Sequence, residues 1–215
     1  MITIQRFVVN MIEENCYVIS DETREALIID NGAITDEEHS AIEKYISQNG
    51  LTLKHAIFTH AHFDHILGSG RCYRAFGLKS EFNDNDAELY NHLSLQVESF
   101  LGPLPYFIET APQGNSLSEG DSISFGNHEL VVIETPGHTP GGVCFYCKQE
   151  NVLFSGDSLF QYSIGRTDFP ESNTQDLLYN LRTKILTLPE NTVVYPGHGG
   201  QTTIGQEKRY NPFLH

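Results

Sequence analysis

The sequence runs to 215 residues, long enough for a single domain with a sizeable core and no need of disulfide or metal staples. Hydrophobic residues make up 39% and charged ones 19%, globular proportions, and no run approaches the roughly 18 uninterrupted apolar residues that cross a bilayer. The formal net charge of -15 argues against nucleic acid held by phosphate contacts, so the expected partner is a small molecule, with no nucleic acid and no membrane.

Three short β patterns, residues 2–7, 15–20 and 26–29, open the chain and end at Asp30-Asn31-Gly32, which predicts a meander. The first of them alternates like a strand and lacks the basic start and apolar run of a secretion signal, so a cytoplasmic protein is expected. Thr35 with Glu38 reads as a capping box heading a helix. Ile34, Ala41, Ile42, Tyr45 and Ile46 recur along it until Asn49-Gly50. Residues 53–58 are the next predicted strand, and residues 72–76 a short helix after Gly68 and Gly70.

Between residues 84 and 113 the pattern weakens. Leu89, Tyr90, Leu93, Val97, Phe100 and Leu101 suggest a helix, and Pro103, Pro105 and Pro112 then punctuate an aromatic loop with Tyr106 and Phe107. The stretch reads as a helical, aromatic insertion in a single domain spanning 1–215. Three roles stay open for it: a lid on the core, a flap over a substrate, or a contact in a homo-oligomer. His92 reads as a helix-surface residue. From Asp121 the chain returns to β, with strands expected at 122–125, 129–134, 143–147 and 152–155, a helix at 174–188 and a last strand at 193–195. Two β-rich halves, each with a helix, suggest two sheets packed face to face inside outer helices. Cys16, Cys72, Cys144 and Cys147 read as buried thiols; the last two have CxxC spacing but lie on a predicted strand that sends them to opposite faces.

Chemistry concentrates where the strand at 53–58 stops. Residues 59–65 carry His60, His62, Asp64 and His65, a density of imidazole and carboxylate that reads first as a metal site. His60 and His62, two apart, project to one side of an extended segment, while Asp64 and His65 on a turning loop can face a second point. One loop can therefore feed two metals. His138 in Pro136-Gly137-His138, Asp157 in Ser155-Gly156-Asp157 and His198 in Pro196-Gly197-His198 each follow a strand, with glycine beside them for close backbone approach. His39, His55, His92, His128 and His215 have no comparable setting and receive no role.

This pattern resembles the metallo-β-lactamase superfamily over nearly the whole chain. The resemblance implies an α+β fold, the αββα four-layer sandwich. It makes His60, His62 and His138 ligands of one metal, Asp64, His65 and His198 ligands of a second, and Asp157 the bridge, with Asp30 supporting them from the end of the meander. Two divalent ions follow, zinc first, with iron and manganese open because these donors accept all three. The implied enzyme is a hydrolase in which a metal-bridging hydroxide attacks a thioester or related ester, with Asp64 and Asp157 as the catalytic carboxylates.

Gly165-Arg166-Thr167-Asp168-Phe169 and the closing Asn211-Pro212-Phe213 look like short glyoxalase II-type, hydroxyacylglutathione hydrolase-like proteins. The Gly-Arg-Thr-Asp-Phe run is also similar to the persulfide dioxygenases, which use one iron on the first set of ligands. A non-catalytic metal-binding module is a third reading. The resemblance implies an S-acylglutathione-like thioester or related ester as substrate; full-length glyoxalase II enzymes carry a helical C-terminal domain that helps bind glutathione, and the residues after His198 are too few for one, a departure that leaves the thiol part of the substrate open. Arg166 is either a structural tie for the loop after Asp157 or a cation reaching a substrate carboxylate. Tyr162 and Tyr146 are secondary candidates.

Overall fold

The computed structural model describes residues 1–102 and 108–215; the expected aromatic loop around Pro103, Pro105, Tyr106 and Phe107 lies outside the described residues. Strands β1 (Thr3–Val9), β2 (Glu14–Ser20) and β3 (Glu25–Ile29) form the expected antiparallel meander. They continue into β4 (Thr52–Ile57), β5 (Ser80–Phe82) and β6 (Gln113–Ser116), which pair in parallel to complete a six-stranded sheet in chain order. The second sheet contains β7 (Ser122–Phe125), β8 (His128–Glu134), β9 (Val143–Cys147), β10 (Val152–Gly156), β13 (Val193–Pro196) and β14 (Thr202–Thr203), in the order β14-β13-β10-β9-β8-β7. A two-stranded ribbon, β11 (Leu159–Phe160) with β12 (Ser163–Ile164), follows Asp157.

Period-two alternation builds the layers. Tyr17, Ile19, Leu27 and Ile29 face Phe125, Leu130, Val132, Phe145 and Phe154 between the sheets. Their neighbours Cys16, Val18 and Ile28 point outward to Ile42 and Ile46 of α1 (Asp36–Gln48), and Cys72 of α3 (Ser69–Phe76) joins the same cluster. On the far side, Cys144, Tyr146 and Leu153 pack on Leu177 and Leu181 of α6 (Thr174–Thr183) and Ile204 of α7 (Ile204–Tyr210). Both sheets are covered on both faces, so strands such as β2 are buried throughout. The fold is the four-layer αββα sandwich. Cys144 and Cys147 fall in different layers, and all four cysteines are free and buried.

Helix α1 starts on the capping box: Thr35 Oγ1 accepts from the Glu38 amide at 3.2 Å, and Glu38 accepts from the Thr35 amide at 2.9 Å. Residues 84–113, the expected helical insertion, lie between β5 and the start of β6. Within the described residues, α4 (Ala87–Asn91) and α5 (Leu93–Leu101) connect β5 to β6 and so belong to a crossover between parallel strands. Those strands are three and four residues long and largely polar, too short for alternation to reveal them. Among the described residues no helix is long and apolar enough to cross a membrane.

Candidate metal centre

The chain ends of β4, β8, β10 and β13 lie at one edge of the sandwich, and the loops leaving them carry the histidines and aspartates. Asp30, just past β3, has a positive φ of 50°, a backbone state that a non-glycine residue holds only when its surroundings fix it. What fixes it is its side chain. Asp30 Oδ1 accepts from the Thr59 amide and Oδ2 from the Thr59 hydroxyl, both at 2.7 Å, and Oδ2 lies 3.1 Å from His65 Nδ1. One carboxylate thus anchors both ends of the 59–65 loop, as expected of a residue behind the ligands. The turning part of the loop is a short helix, α2 (Phe63–Ile66), which carries Asp64 and His65 away from His60 and His62. Two glycines permit the crowding: a Cβ on Gly156 would collide with Thr59, and one on Gly197 with Asp157 and, at 2.7 Å, with His65 Cε1.

The candidate ligands converge in overlapping groups, His60–His62–His138, His60–His65–Asp157 and Asp64–His65–His198, each with donor atoms within 4.8 Å of one another. Asp157 reaches both sides: Oδ1 is 3.4 Å from His65 Nε2, while Oδ2 is 3.6 Å from His138 Nε2 and 3.7 Å from His198 Nε2.

Hydrogen bonds on the outer nitrogens decide which lone pairs face inward. His60 Nδ1 meets Thr59 Oγ1 at 3.1 Å; that hydroxyl already donates to Asp30, so it accepts from His60 and leaves His60 Nε2 bare. His138 Nδ1 donates to the Arg166 carbonyl at 2.7 Å, and His198 Nδ1 to that of Ile12 at 3.2 Å. His62 Nε2 lies 3.2 Å from Glu171 Oε1. With protons on those outer atoms, His62 Nδ1 and His138 Nε2 face each other at 2.9 Å as two lone pairs, an arrangement that a cation relieves.

The buried side-chain atoms without a hydrogen-bond partner include His60 Nε2, His65 Nε2 and Asp157 Oδ1. Leaving such atoms bare costs free energy unless something binds them, so the donor set fits divalent metal. The electrostatics agree. Burial and the surrounding imidazoles push His60 well below the usual histidine range, and burial likewise lowers His138. At His65 burial opposes the charge, but Asp64, Asp157 and Asp30 outweigh it and raise the ring well above its ordinary value. Burial opposes ionisation of Asp64 and Asp157 too; His65 outweighs it and holds both below the usual carboxylate range. His60 and His138 are thus held neutral beside ionised carboxylates, as ligands must be, and a cation would take the place of the proton that the same carboxylates favour on His65 and His198.

Several supporting residues escape the sequence reading. Asp86 is fully buried and accepts from the Ala61 amide at 3.0 Å, the Thr139 hydroxyl at 2.8 Å and the Gly141 amide at 2.6 Å, tying the 59–65 loop to the His138 loop. Asn15 and Tyr17 donate to the Pro196 carbonyl at 2.9 and 2.7 Å, and Glu14 bridges to His198, which locks the first sheet to the last loop. Glu171 steadies His62. An Asp-Asn-Asp run and an Asn at a strand start are the only local hints of these roles.

Beside the centre lies a cavity of about 450 Å³ lined by Ile12, His62, Phe63, Asp64, Phe100, Leu101, His138, Asp157, Phe160, Arg166, Phe169 and His198. Arg166 is at its rim, exposed, with its guanidinium in a bidentate pair with Asp168 at 2.9 and 2.8 Å. Tyr146 packs under α6 and Tyr162 contacts Gln206, so neither lines the cavity.

The family model of the metallo-beta-lactamase superfamily matches residues 12–198. The hydroxyacylglutathione hydrolase GloC of Haemophilus influenzae is 36% identical over 207 residues, 96% of this chain and 95% of that protein. Among solved structures, the BLEG-1 B3 metallo-beta-lactamase superposes with a TM-score of 0.86 at 38% identity over 99% of both chains. TTHA1623 in a di-iron-bound form also gives 0.86, at 32% identity over 98% of this chain and 100% of that one. With the sandwich and the convergent histidines and aspartates already in place, these matches establish that the chain belongs to the metallo-beta-lactamase superfamily.

Proposed function

We propose that this metal-dependent hydrolase cleaves a thioester or a related ester, with two divalent cations at the centre described above. His60, His62 and His138 would hold one and Asp64, His65 and His198 the other, with Asp157 reaching both. The observation that carries this reading is the set of buried lone pairs left bare at His60 Nε2, His65 Nε2 and Asp157 Oδ1, in a ring whose outer atoms are tied down.

Two divalent cations held there supply Lewis acidity and bring the pKa of coordinated water from 15.7 to roughly 7. The chain's own groups do the rest. Asp64 and Asp157 line the cavity and would orient an attacking water by accepting hydrogen bonds from it. Phe63, Phe160 and Phe169 keep bulk water from the carbonyl. Among the described lining residues there is no lysine or tyrosine to protonate a departing group. A thiolate of cysteine-like pKa, near 8.5, leaves without such help, whereas an amine does not. Zinc is the first choice of metal, and the imidazole and carboxylate donors accept iron or manganese as well.

The persulfide dioxygenase reading uses one iron on the first triad. The second triad, like the first, brings its donor atoms within 4.8 Å of one another, which supports two cations. Elemental analysis of the purified protein, with assays on a thioester panel that includes S-lactoylglutathione, on a β-lactam and on glutathione persulfide, tests the reading. Two divalent metals per chain with thioester cleavage is the expected result. One iron with oxygen uptake on the persulfide and no thioester cleavage would overturn it, and β-lactam cleavage alone would replace the substrate class.

A further inference from the structure

The walls of the cavity differ in character from its floor. Phe63 stacks on Phe100 with ring centroids 5.2 Å apart, Phe100 meets Phe169 edge-on at 5.9 Å, and Phe169 meets His62 edge-on at 5.1 Å. An unbroken aromatic surface therefore runs from the candidate metal centre out to solvent. Across the opening stand Ile12 and Phe160, the latter 6.3 Å from the His198 ring. Phe100 and Ile12, which both line it, are 51% and 43% exposed, so apolar surface is available to a ligand at the cavity.

Charge is arranged to match. Among the described lining residues Arg166 is the one Lys or Arg, and it is neutralised by the fork of Asp168 and laid over the Phe169 ring at 4.5 Å. The guanidinium thus extends the flat wall and has little charge left for a second carboxylate. Glu171 adds an acidic group beside His62, in a chain whose net charge is already -15. A substrate whose remote part carries carboxylates would give up their hydration without gaining a partner, while an aromatic or branched alkyl group would gain contact along the whole wall.

We infer that the cavity selects thioesters whose non-reacting parts are apolar and uncharged over those of anionic, peptide-like thiols. The inference rests on the thioester reading above and deepens it. Asp168 acts on this selectivity through Arg166, as the residue that cancels its charge.

Calorimetric titration of the metal-loaded protein with non-hydrolysable thioethers tests binding apart from turnover. The probes are the benzyl thioether of N-acetylcysteamine, which is neutral, and S-benzylglutathione, which shares the benzyl group and carries net negative charge. The neutral probe is expected to bind about tenfold tighter or better. Phe100→Ala should weaken the neutral probe several-fold, and Asp168→Asn should narrow the gap by tightening S-benzylglutathione. Equal or tighter binding of S-benzylglutathione, or a neutral affinity indifferent to Phe100→Ala, would overturn the inference. Phenylacetyl thioesters of the same two thiols give the kinetic counterpart, with kcat/KM higher for the neutral one. If the binding preference holds and neither thioester is cleaved, the selectivity stands and the hydrolase reading falls. If S-lactoylglutathione is cleaved well and the neutral thioester poorly, the hydrolase reading stands and the selectivity falls.

Discussion

Histidine and carboxylate meet at both edges of the sandwich, and the two meetings differ in what they leave over. At the edge where β2 ends and β8 begins, His128 Nδ1 lies 3.0 Å from Asp21 Oδ2 and Nε2 lies 3.0 Å from Glu150 Oε1. Asp21 also accepts from the Thr23 amide and hydroxyl and from the Asn127 amide. Both ring nitrogens and both Asp21 oxygens have partners. At the opposite edge the same residue types are fixed just as firmly from outside, yet His60 Nε2, His65 Nε2 and Asp157 Oδ1 have none. A buried cluster of metal-binding residue types becomes a candidate site through the lone pairs it leaves free, and a cluster that uses them all is a clasp.

Removing the residue that spans the open cluster is the strongest challenge to that contrast. Asp157→Ala should abolish stoichiometric loading of two divalent metals, measured by elemental analysis. It should also lower thioester turnover by more than the roughly 100-fold that loss of a supporting residue causes. Two metals retained, with turnover within about tenfold of the parent, would mean that the bare carboxylate oxygen is not a ligand and that the edges do not differ as described.

The open cluster was legible in the sequence and the clasp was not, for a reason of spacing. Four of the seven candidate ligands fall within residues 60–65, and the other three each follow a strand beside glycine, so local pattern was enough to group them. Asp21 and His128 are separated by 107 positions and have ordinary neighbours; only folding shows that they meet. Asp86 eluded the reading in the same way: its three acceptor bonds reach 25, 53 and 55 positions along the chain. The layers are readable because β1 to β4 are apolar or alternating runs of five to seven residues bounded by polar turns, whereas β5 and β6 are too short and polar to show a pattern. Arg166 admits two roles in the sequence, which gives no sign that Asp168, two residues on, folds back to pair with it.

A subtler probe of the open edge leaves every ligand in place. Thr59→Val keeps the shape but removes the hydroxyl through which Asp30 sets the tautomer of His60. Divalent metal affinity, measured by competition with a chromophoric chelator, should fall about 10–100-fold, the usual cost of an outer-shell loss, and the metal-free protein should lose about 1–3 kcal/mol of stability with the buried hydrogen bond to Asp30. An unchanged affinity would show that His60 finds its tautomer without the hydroxyl.

The smallest expected effect lies at the closed edge and has a definite sign. Burial opposes ionisation of Asp21, but hydrogen bonds from Thr23, His128 and Asn127 outweigh it and hold the carboxyl well below its usual range. A carboxyl whose folded pKa is depressed contributes stability that is complete above the unfolded value of about 3.9 and is lost as pH falls through the folded one. Asp21→Asn should therefore lower stability at pH 7 by about 1–2 kcal/mol and flatten the loss of stability below about pH 4, both read from denaturant titrations across pH. Metal content and turnover should stay at parental levels, because this carboxylate closes its own network. Loss of bound metal in Asp21→Asn would put a cation at this edge as well and remove the distinction between clasp and site.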